Sequence, residues 1–457
     1  MDFPSHIFKA YDIRGLAESE LSEDLAYRLG RSFVVFLRSK KMIRNDQVVV
    51  VGRDMRPSSP VFAEAVTKGI HDEGVNVVDI GLTSTPLFNF ACAHYDAHAG
   101  GIMVTASHNP AEYNGFKLTL GNALPIGKNS GMDAIHDLVE KNEFNSAKGS
   151  GTVSFRDVLP DYFSRIFALV KPETIKPLRV VVDAGNGMAD VTIPKLLKRL
   201  PVTTEYLFLE PDGTFPNHEA NPLKVETLRE LQKRVVETGA DFGFALDGDA
   251  DRIGLVDELG QVVDASFVGA LIGLEVLRNH PKAHMLYDLR SSQIVRETWE
   301  KSGATTEMCM VGHALIKKMM AEDKRRPAFA SELSLHLYFH DMYNVESSDL
   351  ALLYILQLLS RQSKKLSELV GPLKKYSHSG EINFKVSDKD AVLTAIRYDY
   401  LSSAKTVTEL DGLHYAFPWG WFNVRASNTE PVLRLNLEAT TKEKMNEELI
   451  KLKKLIR

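Results

Sequence analysis

Three aspartates on alternate residues, Asp247-Gly-Asp249-Ala-Asp251-Arg252, follow the apolar run Phe242-Gly-Phe-Ala-Leu246. Carboxylates spaced so closely in a tight loop repel one another unless a cation sits among them. Oxygen donors with no nearby His or Cys suit Mg²⁺ better than zinc, and Gly248 and Ala250 leave the backbone room to wrap an ion. A solvated acidic turn is the plain alternative. A second apolar run, Gly101-Ile-Met-Val104, ends in Thr105-Ala-Ser107-His108-Asn109-Pro110. A hydroxyl and an imidazole thus stand at the carboxyl end of an expected buried strand, where α/β proteins place reactive loops. On those residues alone, a simple turn closed by Ser107, Asn109 and Pro110 is equally good.

Near the other end, Arg425-Ala-Ser427-Asn428-Thr429-Glu430-Pro431 gathers a guanidinium, two hydroxyls, an amide and successive backbone donors. That inventory suits a phosphate dianion, although alone it is also an ordinary Ser/Thr/Asn turn. Phosphate chemistry accounts for this loop, the acidic loop and the serine loop together. Asp247, Asp249, Asp251 and Glu258 also fall at EF-hand ligand positions, but Arg252 stands where that loop needs glycine, and the flanks read as strands. A phosphatase of the haloacid dehalogenase type, with Asp247 as nucleophile, is a further reading that leaves the Ser107 loop unexplained.

The elements that must position these loops alternate short β-branched runs with helical patterns, which predicts α/β architecture with mostly parallel strands. A rough repeat of strand, helix, strand, helix, strand and polar loop opens at Gln47-Val-Val-Val-Val-Gly-Arg53, again at Leu178-Arg-Val-Val-Val-Asp183, and again at His284-Met-Leu-Tyr-Asp288. The copies end at Ser107, at Asp247 and at Ser331-Glu-Leu-Ser-Leu-His336, so three polar loops are expected to converge on one cleft. Small and polar residues at Asn145-Ser-Ala-Lys-Gly-Ser-Gly-Thr152 mark a first joint, and a hairpin-like turn near Glu258-Leu-Gly-Gln261 marks a second. Past the helical stretch from Asp349, Gly371-Pro372 leads to a smaller domain, whose strands lie about Val424 and Val432 and whose last helix is rich in Lys and Glu. The expected domains are 1–150 with the serine loop, 151–256 with the metal loop, 257–368 with a sugar loop, and an α+β domain at 369–457. Asp183-Ala-Gly-Asn-Gly-Met188 imitates a dinucleotide fingerprint but lacks its third glycine, and reads as a tight strand-to-helix turn.

The 457 residues, 44% hydrophobic, are enough for three or four domains. A net charge of -5 with no basic block argues against a nucleic-acid surface, so any anionic ligand must meet local cations. The amino terminus lacks a signal-peptide core and no apolar run approaches a membrane span, which predicts a cytoplasmic protein without membrane contact. Cys92 and Cys309 are too few for a disulfide framework and lack zinc spacing, so both are expected to be buried.

Taken together, Thr105–Pro110, Asp247–Arg252, Ser331–His336 and Arg425–Pro431 resemble the four signature loops of the α-D-phosphohexomutases, and Phe8-Lys-Ala-Tyr-Asp-Ile-Arg-Gly15 resembles that family's amino-terminal strand. The likeness covers essentially the whole chain and is strongest to bacterial phosphomannomutases and dual phosphomannomutase/phosphoglucomutases. It implies four domains around a central cleft, three of them related. It also implies that Ser107 carries a phosphoryl group, and that Asp247, Asp249, Asp251 and a phosphoserine oxygen hold Mg²⁺. A 6-phosphosugar would become a bisphosphate, turn over within the cleft, and leave as the 1-phosphosugar, with glucose 1,6-bisphosphate or mannose 1,6-bisphosphate as activator. The resemblance assigns charge stabilisation or proton transfer to Arg14, Lys117, Arg252 and His336, and orientation of the nucleophile to His108. It assigns sugar contacts to Tyr11, Arg290, Gly312, His313, Glu332, Ser334 and His336, and the remote phosphate to Arg425, Ser427, Asn428 and Thr429. A phosphosugar is the expected partner, and the expected assembly is a monomer or weak dimer.

The third loop departs from the family pattern. Ser331 and Leu335 stand where relatives usually have glycine, and Leu335 adds bulk near the sugar. Leu333 keeps an apolar residue where hexose-specific members carry Met and phosphoglucosamine mutases commonly carry Gln, which favours mannose and glucose over an amino sugar. Arg290 stands where some relatives have Lys, keeping the charge with different geometry. The competing readings are a phosphoglucosamine mutase, a Mg²⁺-dependent phosphatase using Asp247, and a non-catalytic sugar-phosphate or Ca²⁺ binder.

Overall fold

The computed structural model describes residues 3–144, 150–426 and 432–456. It contains two compact units, Met1–Val263 with Ser334–Leu366, and Asp264–Leu333 with Ser367–Arg457.

The first unit opens with β1 (Ile13–Leu16), α1 (Glu23–Ser39), β2 (Val48–Arg53), α2 (Ser59–Asp72), β3 (Asn76–Leu82), α3 (Thr85–His94), β4 (His98–Val104), β5 (Tyr113–Leu120), α4 (Asp133–Lys141) and β6 (Val153–Phe155). The strands lie in the order β1-β5-β4-β2-β3-β6. β2 pairs in parallel with β3 and β4, while β5 returns antiparallel along β4. Every residue of β4 is buried, as is Val49–Val51 of β2, the burial expected of central parallel strands. Ser22 caps α1 by accepting a hydrogen bond from the amide of Leu25, and the apolar face of α1 joins α2 over this core. The two helices cross backbone to backbone. A Cβ on Gly30 would lie 2.3 Å from the Val66 carbonyl oxygen, and one on Gly69 would lie 2.1 Å from that of Tyr27.

A second sheet follows: α5 (Leu159–Leu169), β7 (Leu178–Asp183), α6 (Ile193–Leu197), β8 (Val202–Leu207), α7 (Arg229–Thr238), β9 (Phe242–Leu246), β10 (Ile253–Asp257) and β11 (Val262–Val263), with strand order β11-β10-β9-β7-β8. β7 is parallel to β8 and β9, and β10 returns antiparallel on β9. β10 and β11 pair antiparallel across the turn read at Glu258–Gln261.

The chain then supplies the second unit with α8 (Ala265–Asn279), β12 (His284–Asp288), α9 (Gln293–Lys301), β13 (Thr305–Cys309), α10 (His313–Glu322) and β14 (Phe329–Ser331). β12 pairs in parallel with β13 and β14. It returns to the first unit for the antiparallel pair β15 (Leu337–Phe339) and β16 (Val345–Glu346), followed by the buried helix α11 (Ser348–Gln362). After α12 (Leu366–Val370), the second unit is completed by β17 (Ser377–Lys385), α13 (Lys389–Tyr400), β18 (Thr406–Thr408), β19 (Leu413–Phe417), β20 (Gly420–Ala426), β21 (Val432–Ala439) and α14 (Lys442–Ile456). These last strands form an antiparallel sheet, β17-β21-β20-β19-β18. Its apolar face, with Phe422, Val424, Leu433, Leu435 and Leu437, packs under Ile396 of α13 and Leu452 of α14.

The threefold alternation read from the sequence is present. In each copy the first strand is central, giving β4-β2-β3, β9-β7-β8 and β14-β12-β13, and the polar loop leaves the carboxyl end of the third strand. Cys92 and Cys309 are buried free thiols, as expected. No helix among the described residues is long and apolar enough to cross a membrane. Residues 145–149 of the first joint lie outside the described residues.

Because backbone meets backbone at the α1–α2 crossing, neither helix can give way to a methyl group without separating from the other. Gly30→Ala should lower stability by about 1–3 kcal/mol, read as a lower urea midpoint by circular dichroism with secondary structure retained.

Candidate active site

The Ser107 loop joins β4 to β5 and is held from beneath by an arginine that sequence reasoning missed. Arg56 has no exposed side-chain surface and stands 3.3 Å from Asp54. Its Nη1 donates to the carbonyls of Pro110 (2.7 Å) and Tyr113 (2.8 Å), and its Nη2 to those of Ser107 (3.0 Å) and Asn109 (2.6 Å). Three loop carbonyls and that of Tyr113, where β5 begins, thus converge on one planar donor group. Ser107 itself has φ 51°, a left-handed conformation that a non-glycine residue keeps only where its surroundings impose it. Its amide donates to Thr105 Oγ1 at 2.9 Å. Its hydroxyl lies 3.1 Å from His108 Nδ1 and donates to Asp247 Oδ2, also at 3.1 Å. Burial, with Arg252 and Arg14 adding to it, holds the His108 imidazole well below the usual histidine range, so the ring beside Ser107 is neutral at pH 7.

The aspartate loop joins β9 to β10 and folds on its own first residue. Asp247 Oδ1 accepts from the amides of Asp251 (3.0 Å) and Arg252 (3.1 Å), which closes the turn. Gly248 cannot be replaced cheaply, because a Cβ there would lie 2.4 Å from the Ser107 carbonyl oxygen. Gly187, from the glycine-rich turn after β7, packs on Gly248 from another side, and the amide of Met188 donates to the Gly248 carbonyl at 2.9 Å. That turn, with Gly185 and Asn186 at φ 53° and 56°, is the tight strand-to-helix connection read from the sequence.

Asp247, Asp249 and Asp251 are all buried, with carboxylate oxygens within 4.8 Å of one another. Burial and the two neighbouring charges push the Asp247 carboxyl well above the usual carboxylate range. Burial opposes ionisation of Asp249 and Asp251 too, yet Lys117 keeps Asp249 below that range, and Lys117, His336 and Arg252 keep Asp251 well below it. Lys117 Nζ donates to Asp249 Oδ2 at 2.6 Å and to Asp251 Oδ2 at 2.9 Å. Thr85, at the start of α3, donates its hydroxyl to Asp249 Oδ2 at 2.6 Å and its amide to the Asp249 carbonyl at 2.9 Å. Asp249 Oδ1 is left buried without a hydrogen-bond partner. An all-oxygen set with one unsatisfied carboxylate oxygen fits a hard divalent cation.

Arg14 reaches the serine loop from β1, donating to the Ala106 carbonyl (3.2 Å) and Asn109 Oδ1 (2.7 Å), and is steadied by Asp12. Arg252 Nε and Asp251 Oδ1 each stand 3.2 Å from His336 Nε2, whose other ring nitrogen lies 2.9 Å from Ser334 Oγ. Ser348, opening α11, donates to the Ala250 carbonyl. Two helix amino termini, those of α3 and α11, therefore bring positive dipole ends to the acidic loop.

The whole chain matches one family, domain by domain: phosphoglucomutase/phosphomannomutase α/β/α domain I at residues 5–146, domain II at 160–260, domain III at 264–376 and the C-terminal domain at 381–451. A phosphomannomutase of Vibrio cholerae is 38% identical over 459 residues, covering 98% of each chain. The chain belongs to this family of phosphohexomutases. A phosphomannomutase/phosphoglucomutase of Pseudomonas syringae is 37% identical over 96% of this chain and 92% of its own. The crystal structure of a phosphoglucomutase/phosphomannomutase family protein from Burkholderia thailandensis superposes with a TM-score of 0.90 at 32% identity, covering 99% of this chain and 97% of that one.

Of the residues that the family resemblance singled out, Arg14, Ser107, His108, Lys117, Asp247, Asp249, Asp251, Arg252, Ser334 and His336 lie in the first unit, linked by the contacts above. Tyr11 is also in that unit, before β1, where its ring lies 3.5 Å from the place of a Cβ on Gly127. The second unit holds Arg290, Gly312, His313, Glu332 and Arg425. There, Glu332 Oε1 accepts from the Gly312 amide at 3.1 Å and lies 3.4 Å from Arg290 Nη2. Gly312, at φ 126°, caps α10, which His313 opens. Arg425 is the last residue but one of β20, with its side chain 3% exposed, while Ser427, Asn428 and Thr429 lie outside the described residues.

Asp288 is a second organiser that sequence reasoning missed. Its Oδ2 accepts from Arg290 Nη2 (2.6 Å) and from the Leu333 amide (2.9 Å), tying Arg290 to the third loop. The departures in that loop have physical settings. Ser331 faces Gly269 of α8, where a Cβ would meet its side chain at 2.8 Å, so the added hydroxymethyl occupies room that Gly269 leaves. Leu335 has φ 70° and is 6% exposed, which explains why glycine is the less strained residue at this place.

Arg56→Lys keeps the charge but loses the planar fork. It should lower stability by about 2–4 kcal/mol, raise amide hydrogen exchange across residues 105–113, and cut mutase activity at least tenfold. Unchanged exchange in that segment would show that the loop holds itself.

Proposed function

We propose that this phosphohexomutase interconverts the 6- and 1-phosphates of mannose, and also of glucose, by way of a phosphoserine at Ser107. The observation that carries this reading is the Ser107 hydroxyl 3.1 Å from Asp247 Oδ2, at the mouth of a buried acidic loop. Phosphoserine bears about -1.5 to -2 charge, and a hydroxyl attacks its phosphorus only when that charge is offset. Asp247, Asp249 and Asp251 would hold Mg²⁺, which when bound withdraws charge from the phosphoryl oxygens. Glucose 1,6-bisphosphate or mannose 1,6-bisphosphate would load Ser107 at the start of the cycle.

The protein's own groups supply the rest. As the sugar oxygen forms its bond to phosphorus, the bond to Ser107 Oγ breaks, and the accepting hydroxyl gives up a proton. His336, 3.2 Å from both Asp251 Oδ1 and Arg252 Nε, would take it. Lys117 is unsuited to that task, because Asp249 and Asp251 overcome the effect of burial and hold its ammonium above the ordinary lysine range; it acts as fixed positive charge. Arg14 and Arg252 add to that charge, and neutral His108 orients the serine. The reverse transfer, from the sugar's other phosphate, restores phosphoserine. Tyr11, Arg290, Gly312, His313, Glu332 and Ser334 would hold the sugar, and Arg425 with Ser427, Asn428 and Thr429 the phosphate that is not reacting.

Relatives named phosphomannomutase or phosphomannomutase/phosphoglucomutase support the hexose assignment, as does the apolar Leu333. Coupled assays with mannose 1-phosphate, glucose 1-phosphate and glucosamine 1-phosphate on one preparation should give the first two clear preference. A higher kcat/KM for the amino sugar would overturn the assignment.

Incubation with glucose 1,6-bisphosphate should place one phosphate on the peptide containing Ser107, read by mass spectrometry, and Ser107→Ala should lose about a thousandfold or more in kcat. Phosphate found on Asp247 instead would favour a phosphatase.

Millimolar Mg²⁺ should raise the Tm of the protein measurably and that of Asp249→Asn far less. Equal shifts in both would remove the carboxylate loop from the metal's ligands.

A further inference from the structure

In the second unit, three guanidinium groups converge on one carboxylate. Glu381 Oε2 lies 3.1 Å from Arg425 Nη2 and 3.6 Å from Arg290 Nη1, and Glu381 Oε1 lies 3.4 Å from Arg434 Nη1. Asp411 lies 3.9 Å from Arg425 Nη1. Glu381 is the most exposed side chain of the cluster at 24%, against 3% for Arg425, 9% for Arg290 and 21% for Arg434.

An irregularity in β17 puts Glu381 there. On β21, Arg434, Asn436 and Glu438 share the face opposite to the core residues Leu433, Leu435 and Leu437. His378 stands across from Glu438 and Glu381 across from Asn436, so three steps along β17 match two along β21. Without the extra residue, Gly380, now at φ 68°, would stand across from Asn436 and Glu381 would turn toward the apolar face. The bulge therefore delivers a carboxylate to the arginines.

We propose that Glu381 is a built-in competitor of the substrate's phosphate: its carboxylate occupies Arg425, with Arg290 and Arg434, until a phosphosugar displaces it. This rests on the reading of Arg425 as a phosphate-binding residue. A carboxylate and a phosphate monoester present similar oxygen pairs to a guanidinium, so the two exclude each other at Arg425. Bare arginines would grip a dianion tightly, whereas a mutase must release its bisphosphorylated sugar for the turn and then its product. An internal anion that reclaims the arginines weakens the grip and speeds release.

The test compares Glu381→Gln, which keeps the shape and removes the charge, with the parent enzyme, using mannose 1-phosphate as substrate and inorganic phosphate as inhibitor. The inhibition constant for phosphate and the KM should each fall by about tenfold, with kcat falling as release slows. Glu381→Asp, shorter by one methylene, should move both constants the same way by less. Arg425→Gln should raise both, and adding Glu381→Gln to it should then have little effect. If Glu381→Gln keeps its Tm and leaves both constants unchanged or raised while Arg425→Gln still raises them, the competitor is overturned and the phosphate reading of Arg425 stands. If Arg425→Gln itself leaves both constants unchanged, that reading fails and takes the competitor with it.

Discussion

The position of Ser107 depends on one buried guanidinium. Arg56 sits behind the loop, beside Asp54, and binds carbonyls from three of its residues and from Tyr113 at the start of β5. A charge without solvent is costly unless its partners are well placed, and here the partners are the loop itself. Asp54 is shared in turn, since its Oδ1 accepts from the Ser59 hydroxyl at 2.5 Å at the start of α2. The ring of Phe215 closes the arrangement, with its centroid 5.2 Å from the guanidinium carbon. A loop between strands is thus held by a single side chain, and the left-handed conformation of Ser107 can persist within it.

The acidic loop follows a different logic. Asp247 spends one oxygen on its own turn and offers the other to Ser107, whereas Asp249 is fixed by Thr85 and Lys117 through a single oxygen. Like charges are thereby given distinct jobs by their neighbours, and their proton affinities diverge accordingly. Electrostatics and shape agree here because the loop is pinned from three sides, by the serine loop, by the turn after β7 and by the helix ends of α3 and α11.

Much of this was legible in the sequence for a physical reason. Central parallel strands are largely continuous apolar runs, β-branched in β2 and β7, and the loops that end them change abruptly to polar residues, so β2, β4, β7, β9 and β12 and their loops stood out. Arg56, Thr85 and Asp288 did not. Arg56 bonds mainly carbonyls more than fifty positions away, and carbonyls leave no mark in a sequence. Thr85 reads as one more residue of a helix start, and its partner Asp249 is 164 positions distant. Glu381 was hidden for yet another reason: Glu381-Ile-Asn-Phe-Lys385 reads as an ordinary alternating strand, and only the observed register reveals the extra residue before it and the arginines opposite. Leu335 was noticed as a departure from the family, but its cause, a backbone at positive φ, needed coordinates.

Gly248 meets the Ser107 carbonyl with no side chain intervening. The gap between the Ser107 loop and the three aspartates is consequently set by peptide dimensions, which point mutations elsewhere alter little. A chain that keeps Gly248 keeps that span, whichever phosphosugar it takes.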